Sequence, residues 1–259
     1  MRRPGRTLLA FAAAVVAVAA CSQVGTNPNV PVAIELAPPP LPAMLVGDSM
    51  RDSAGTVVPL HATVFNSRND TIAGAAVTYL ALDTTGGAII TVDPGTGLVV
   101  AHDTGRVFVV ATAGALQSPA DTIIAVDTPT VVQPLDSLVD TLDYTFTGRD
   151  TLLPLNVRLL RVSGVDTAGI GHWLLHYTVL YPAGYDNNDS TLAQLVDGTG
   201  RPALVDTTDA SGATARSLRI RPTTASFADT LVIQAAATLP GGAVVGGTPI
   251  RFVVHLTVQ

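Results

Sequence analysis

The chain has 259 residues, a formal net charge of −6, 47% hydrophobic residues and only 13% charged ones. All fourteen bases are arginine and nineteen of the twenty acids are aspartate. Such an acidic chain lacks the basic footprint that binds nucleic acid, and an anionic membrane surface would repel it. Ala, Val, Thr, Gly and Pro make up much of the rest. Val and Thr favour strands while Gly, Pro and Asp favour turns, so the composition predicts an all-β fold.

The N-terminus opens with a cationic stretch, "MRRPGR", followed by an apolar run, "TLLAFAAAVVAVAA". That run is shorter than the roughly 20 apolar residues a spanning helix needs. It ends in Val18-Ala19-Ala20-Cys21, which resembles the lipobox of bacterial lipoproteins. The resemblance implies a signal peptide over residues 1–20 and a lipidated Cys21 as first mature residue, with palmitate among its acyl groups. A plain secretory signal with an incidental cysteine is the alternative. Cys21 is the only cysteine, so no disulfide framework is expected. Ser22 after it is compatible with export to the outer membrane. Removing residues 1–20 takes away Arg2, Arg3 and Arg6 and no acid. It leaves 239 residues with eleven arginines against twenty acids, a net charge of −9. That length is too great for most single sandwich domains and suits two.

Residues 21–29 read as the anchored cysteine and a polar tether. Residues 30–127 read as short strands. "VPVAIEL" opens the series, and "PPPLP" cannot pair inside a sheet and marks an edge or crossover. In "TVVPLHATVF", Val58, Leu60, Ala62 and Val64 alternate with Pro59, His61, Thr63 and Phe65, which is strand periodicity. "AAVTYLALD", "AIITVD", "LVVA", "RVFVVATA" and "DTIIAVD" follow, with "PGTG" as a turn. Residues 128–134, "TPTVVQP", read as a linker. Residues 135–259 then give "LDYTFTG", "LLPLNVRLLRV", "HWLLHYTVLY", "LAQLVD", "TARSLRIRP", "DTLVIQAAA" and "IRFVVHLTV". In the last, Phe252, Val254, Leu256 and Val258 face one way. Short strands at regular spacing with turns between them predict two tandem β-sandwiches.

The order "LVGDS", "VVPLHATVF", "DTIAGAAVTYLALD", "AIITVDPGTGLVVAHDTGRVFVVATAG", "DTIIAV" resembles the bacterial immunoglobulin-like domain of group 2. Tyr79 stands where that family usually has Trp. In the second unit "LVDTTDASGATARSLRIRP" is similar to the invasin/intimin type, group 1. Its Asp206 to Gly212 match that family's turn and strand, while residues 135–185 match poorly. The resemblance implies immunoglobulin-like modules serving adhesion, cell-surface display or spacing.

Several motifs suggest chemistry. Gly47-Asp48-Ser49 resembles the serine block of GDSL esterases. That family also needs Asp-x-x-His, and the residues three before His61, His102, His172, His176 and His255 are Val58, Val99, Gly169, Trp173 and Phe252. The esterase reading therefore ranks a distant third. Asp103-Thr104-Gly105 resembles the aspartic protease triplet, but Asp-Thr recurs ten times and reads as a habitual joint between loop and strand. The loop "YPAGYDNNDST" carries Asp186, Asn188 and Asp189, hard oxygen donors that could hold Ca2+. A solvated Asx-rich turn is the other reading. The sixth and twelfth loop positions, Thr191 and Asp197, depart from the EF-hand pattern. His172 and His176 sit four apart on one strand, about 13 Å by strand rise, too far to share a metal. Arg219 and Arg221 point to one side of "SLRIRP" and form a candidate anion-binding face for a carboxylate or sulfated sugar. Trp173 reads as core.

No nucleophile–base pair or metal cluster emerges, so no enzyme and no obligatory cofactor is expected. The sequence points to a lipid-anchored envelope protein, in the outer membrane or at the cell surface, displaying its modules to a protein or glycan partner. The alternative is a periplasm-facing accessory lipoprotein of an envelope complex.

Overall fold

A computed structural model describes residues 30–82, 88–145, 149–189, 193–221 and 229–259. Residues 1–29, where a signal peptide, a lipidated Cys21 and a tether are expected, lie outside them. The described residues form strands and loops with no helix. The first nine strands are β1 (Ala33–Leu36), β2 (Met44–Leu45), β3 (Ala62–Phe65), β4 (Thr78–Leu82), β5 (Ile90–Val92), β6 (Val99–Ala101), β7 (Gly105–Ala113), β8 (Leu116–Gln117) and β9 (Asp121–Val126). Strand β1 pairs antiparallel with β3. The chain then crosses through the proline-rich 38–42, and β2 pairs parallel with β9. One layer thus runs β2-β9-β7-β4, with β8 beside β7, and the other carries β1-β3 and β5-β6. A first strand that switches sheets around a Greek-key sandwich is the immunoglobulin-like topology. The prolines explain the switch, because they cannot donate to either ladder.

The core of this unit contains Ile34, Leu60, Val64, Tyr79, Val99, Val109 and Ile123. Leu60 and Val64 face inward as their alternation predicts, but β3 begins only at Ala62, because Pro59 lacks an N–H for the ladder. Tyr79 is buried and its Oη accepts the Ala62 N–H at 3.1 Å.

The second unit contains β10 (Val131–Pro134), β11 (Val139–Tyr144), β12 (Thr151–Pro154), β13 (Val157–Ser163), β14 (Asp166–Gly169), β15 (Leu174–Tyr181), β16 (Gln194–Val196), β17 (Val205–Thr207), β18 (Ser217–Ile220), β19 (Thr230–Ala236) and β20 (Ile250–Val258). It repeats the switch. Strand β10 pairs antiparallel with β13, and β11 pairs parallel with β20. One layer runs β11-β20-β19-β15-β17, the other β10-β13-β14 with β12-β18-β16. Leu155 N–H bonds Arg216 O at 2.8 Å and Leu159 N–H bonds Gly212 O at 2.8 Å, which joins the pieces of the second layer. The segment 128–134, expected to be a linker, is corrected here. Val131–Pro134 are strand β10, because Val132 is a core side chain and its N–H bonds Gly246 O at 2.8 Å. Trp173 is 5% exposed and donates Nε1–H to Thr238 O at 3.2 Å.

Five loops share one geometry: Asp52–Thr56, Asn66–Asp70, Asp197–Arg201, Asp209–Ala213 and Leu239–Ala243. In each the first N–H donates to the fifth carbonyl and the fourth N–H donates to the first carbonyl. The fourth residue, Gly55, Asn69, Gly200, Gly212 or Gly242, has positive φ. This is a type I turn closed by a left-handed residue. In the first four loops the Oδ1 of the opening Asp or Asn also accepts the fifth N–H.

Candidate functional site

The strand directions define two poles. In the first unit β2 and β9 run in parallel toward the junction, so Val30 enters near the opposite end. In the second unit β11 and β20 run in parallel away from it. The ends of β11, β15 and β18 and the starts of β12, β16 and β19 therefore lie at the far pole. Both candidate ligand sets, Asp186-Asn188-Asp189 and Arg219-Arg221, lie at this pole.

The acidic loop is built from inside. Asn187 is buried and mimics a strand: Leu195 N–H donates to its Oδ1 at 2.7 Å and its Nδ2 donates to Leu195 O at 3.0 Å. Gln194 Nε2 donates to Asn187 O at 3.1 Å. Tyr185 Oη lies 2.7 Å from Asn187 Oδ1 and 2.6 Å from Ala193 O, and burial pushes its pKa up to about 12. These bonds hold Asp186, Asn188 and Asp189 exposed at the surface. Asp186 Oδ1 accepts the Asn188 N–H at 2.9 Å, an Asx turn. Asp197, the last position of the EF-hand comparison, is engaged elsewhere: its Oδ1 accepts Thr199 Oγ1–H at 2.7 Å and Arg201 N–H at 2.9 Å. Those bonds, the threonine hydroxyl's first, pull its pKa down to about 2. Thr191 lies outside the described residues. Among the described residues no group of three or more His, Cys, Asp or Glu side chains gathers as a metal site.

The arginine face is corrected at one position. Arg219 is held by its own chain, with Nη1 donating to Gly200 O at 2.8 Å, Nη2 to Gln194 Oε1, and Asp150 Oδ2 3.8 Å from Nε. Burial, with the nearby Arg221 charge, lowers its pKa. Both of its Nη groups are on internal acceptors, which leaves Arg221, half-exposed just beyond β18, as the cation of that face.

The remaining motifs are loop chemistry. Asp48 is bound by Arg51 through Nε at 2.8 Å and Nη2 at 3.0 Å, which holds its carboxyl below the usual range. Ser49 bridges Val100, so the Gly-Asp-Ser segment is a turn stitched to β6. In four Asp-Thr pairs the threonine N–H caps the preceding carboxylate: Asp103, Asp121, Asp140 and Asp206, at 2.7, 2.7, 2.8 and 2.9 Å. His172 and His176 do not share a strand. Strand β15 starts at Leu174, and His172 adopts φ +59° with its N–H on Thr208 O at 2.8 Å. Both line a shallow, solvent-open cleft between the units, with Leu41, Ser53, Trp173 and Pro240.

The sequence reading missed Arg216. Among the described residues it is the largest fully buried side chain, with its guanidinium 5.7 Å from the Tyr177 ring centroid and Nη2 on Val205 O and 3.5 Å from Asp206 Oδ1. Tyr177 bonds Leu155 O at 3.1 Å and Thr214 Oγ1 at 2.9 Å, and burial raises its pKa. These groups form a polar strut inside the second sandwich.

No protein-family model matches the sequence, and no curated protein matches it. Among solved structures, the Yersinia pseudotuberculosis adhesin InvE is 15% identical, with 87% of this chain and 58% of that one covered at TM-score 0.32. The fibronectin(III)-like modules of Clostridium thermocellum CbhA are 12% identical, with 87% and 94% covered at TM-score 0.35. Domains 5–6 of the S-layer protein SbsC are 13% identical, with 88% and 99% covered at TM-score 0.29. The chain spans 27% of the S-layer protein rSbsC(31-844). These likenesses are too distant to carry function, and the tandem immunoglobulin-like assignment rests on strand order.

Proposed function

We propose that the chain is a non-catalytic lipoprotein of a bacterial cell envelope. A lipid on Cys21 holds it at a membrane. Two immunoglobulin-like modules, residues 30–127 of group 2 type and 131–259 of invasin/intimin type, are presented for adhesion or surface interaction. The observation that carries this reading is the polarity of the chain. Residue 30 enters near one pole, directly after the Cys21 tether, and the loops with exposed Asp186, Asn188, Asp189 and half-exposed Arg221 lie at the other. An anchor at one end and polar loops at the other is the layout of a display protein. Those loops would meet a protein or glycan partner through hydrogen bonds and charge. The acidity of the chain supports a lipid in place of a basic patch as the membrane hold.

Fractionation of bacteria expressing wild type or Cys21→Ala tests the anchor. Wild type is expected in the membrane fraction and released by detergent, with a mature mass that begins at a lipidated Cys21. The variant is expected in the soluble fraction. Equal partition of the two would remove the lipid from the account.

A further inference from the structure

The hydrophobic core of the second unit does not stop at its own strands. Ala43, 5% exposed, is a member of it, and Leu45, Ile124 and Val126 pack against it. On the same two strands Met44, Ile123 and Ala125 are buried in the first core. Successive side chains of a strand point to opposite faces. The β2–β9 pair therefore puts one face into each core.

Other contacts close the same junction. Gly55 lies against Gly241 so tightly that a Cβ on Gly55 would stand 2.7 Å from Gly241 Cα. Between β9 and β10 the chain has only residues 127–130, and these are tied down. Asp127 Oδ2 is 3.1 Å from Arg161 Nε, and Pro129 is buried. Thr130 N–H bonds Leu160 O at 2.9 Å, and Val162 N–H bonds Thr130 Oγ1 at 2.8 Å. Tandem domains move against each other by default unless their interface is apolar and extensive. Here the interface is a sheet surface shared by two cores.

We propose that the β2–β9 pair is a shared layer that locks the two units into one rod, which does not bend at its waist and unfolds in a single step. The far loops are then held at a fixed distance and angle from residue 30. This inference does not depend on lipidation of Cys21 or on which way the protein faces.

Calorimetry and small-angle scattering of the full chain test it, with three variants. Gly55→Ala drives a methyl into the Gly241 backbone. Gly47→Ala is its control, since Gly47 has a similar φ of +82° with nothing within 4 Å of an added Cβ. Ile124→Asp puts a charge on the second-core face of the shared layer. Wild type and Gly47→Ala are expected to melt in one transition whose calorimetric and van't Hoff enthalpies agree. Gly55→Ala and Ile124→Asp are expected to split the melt in two and broaden the distribution of intramolecular distances. Two transitions in the wild type, or a single unsplit melt in both Gly55→Ala and Ile124→Asp, would overturn the shared layer.

Discussion

Arg216 occupies the same strand parity as Leu218 and Ile220, so alternation alone places it on the core face of β18's approach. A buried arginine is held there by the Tyr177 face, Val205 O and Asp206. Removing one partner of a buried pair costs about 3–5 kcal/mol, because the other charge and the vacated volume are left behind. Arg216→Ala is expected to lower the unfolding free energy by about that amount in urea titration. Arg216→Met, which keeps the volume, is expected to cost less. The same scale carries a pH prediction. The carboxyls of Asp48, Asp93, Asp197 and Asp209 all titrate below the usual range, held by Arg51, Thr96, Thr199 and Ser211 respectively. A folded-state pKa below the unfolded value of about 4 adds stability that is complete above it and lost as pH falls through it. The melting temperature is therefore expected to be flat near neutrality and to drop as pH falls from about 4 toward the Asp197 value of about 2. Asp197→Asn should make that drop shallower. Arg216 was legible in principle, since its parity is in the sequence. It was missed because a charged residue is normally assigned to the wet face. Arg219 misled for the opposite reason: parity sends it away from Leu218, but Gln194 of β16 and Gly200 of the turn that follows cover it.

At the scale of elements, the alternating strands were readable because one face of each is buried. Strand β20 spans Ile250–Val258 as expected, with Phe252 and Val254 at 0% and 1% exposure. The crossover at 38–42 was readable because proline cannot pair. The shared turn geometry shows in the sequence as Asp-x-x-Gly spacing in three of the five loops, and it makes a sharp prediction. Gly212 has φ +82°, and a Cβ there would stand 2.2 Å from Leu159 O. Backbone strain alone costs about 1–3 kcal/mol at such a position, and the carbonyl cannot move without breaking its ladder. Gly212→Ala is expected to lose more than Gly74→Ala, where φ is +71° and the space is open. Comparison of the two denaturation midpoints checks this. Strand β10 was not readable. "TPTVVQP" has the composition of a linker, and only pairing with β13 and Gly246 makes it a strand.

For the whole molecule, the count of two sandwiches followed from length and strand spacing, while their mutual packing did not. Ala43, Leu45, Ile124 and Val126 look like ordinary apolar alternation until a second core is placed against them. The candidate site was legible only in part. The loop around Asp186 stands out by composition, but its support by buried Asn187 and Tyr185 is a product of folding. The central claim concerns address and orientation, and protease treatment of intact cells beside lysed ones tests it most directly, with wild type next to Cys21→Ala. Display at the surface predicts that wild type is digested on intact cells and that the variant is absent from the cell surface. Protection of wild type until lysis would contradict surface display and assign the modules to an inward-facing accessory role.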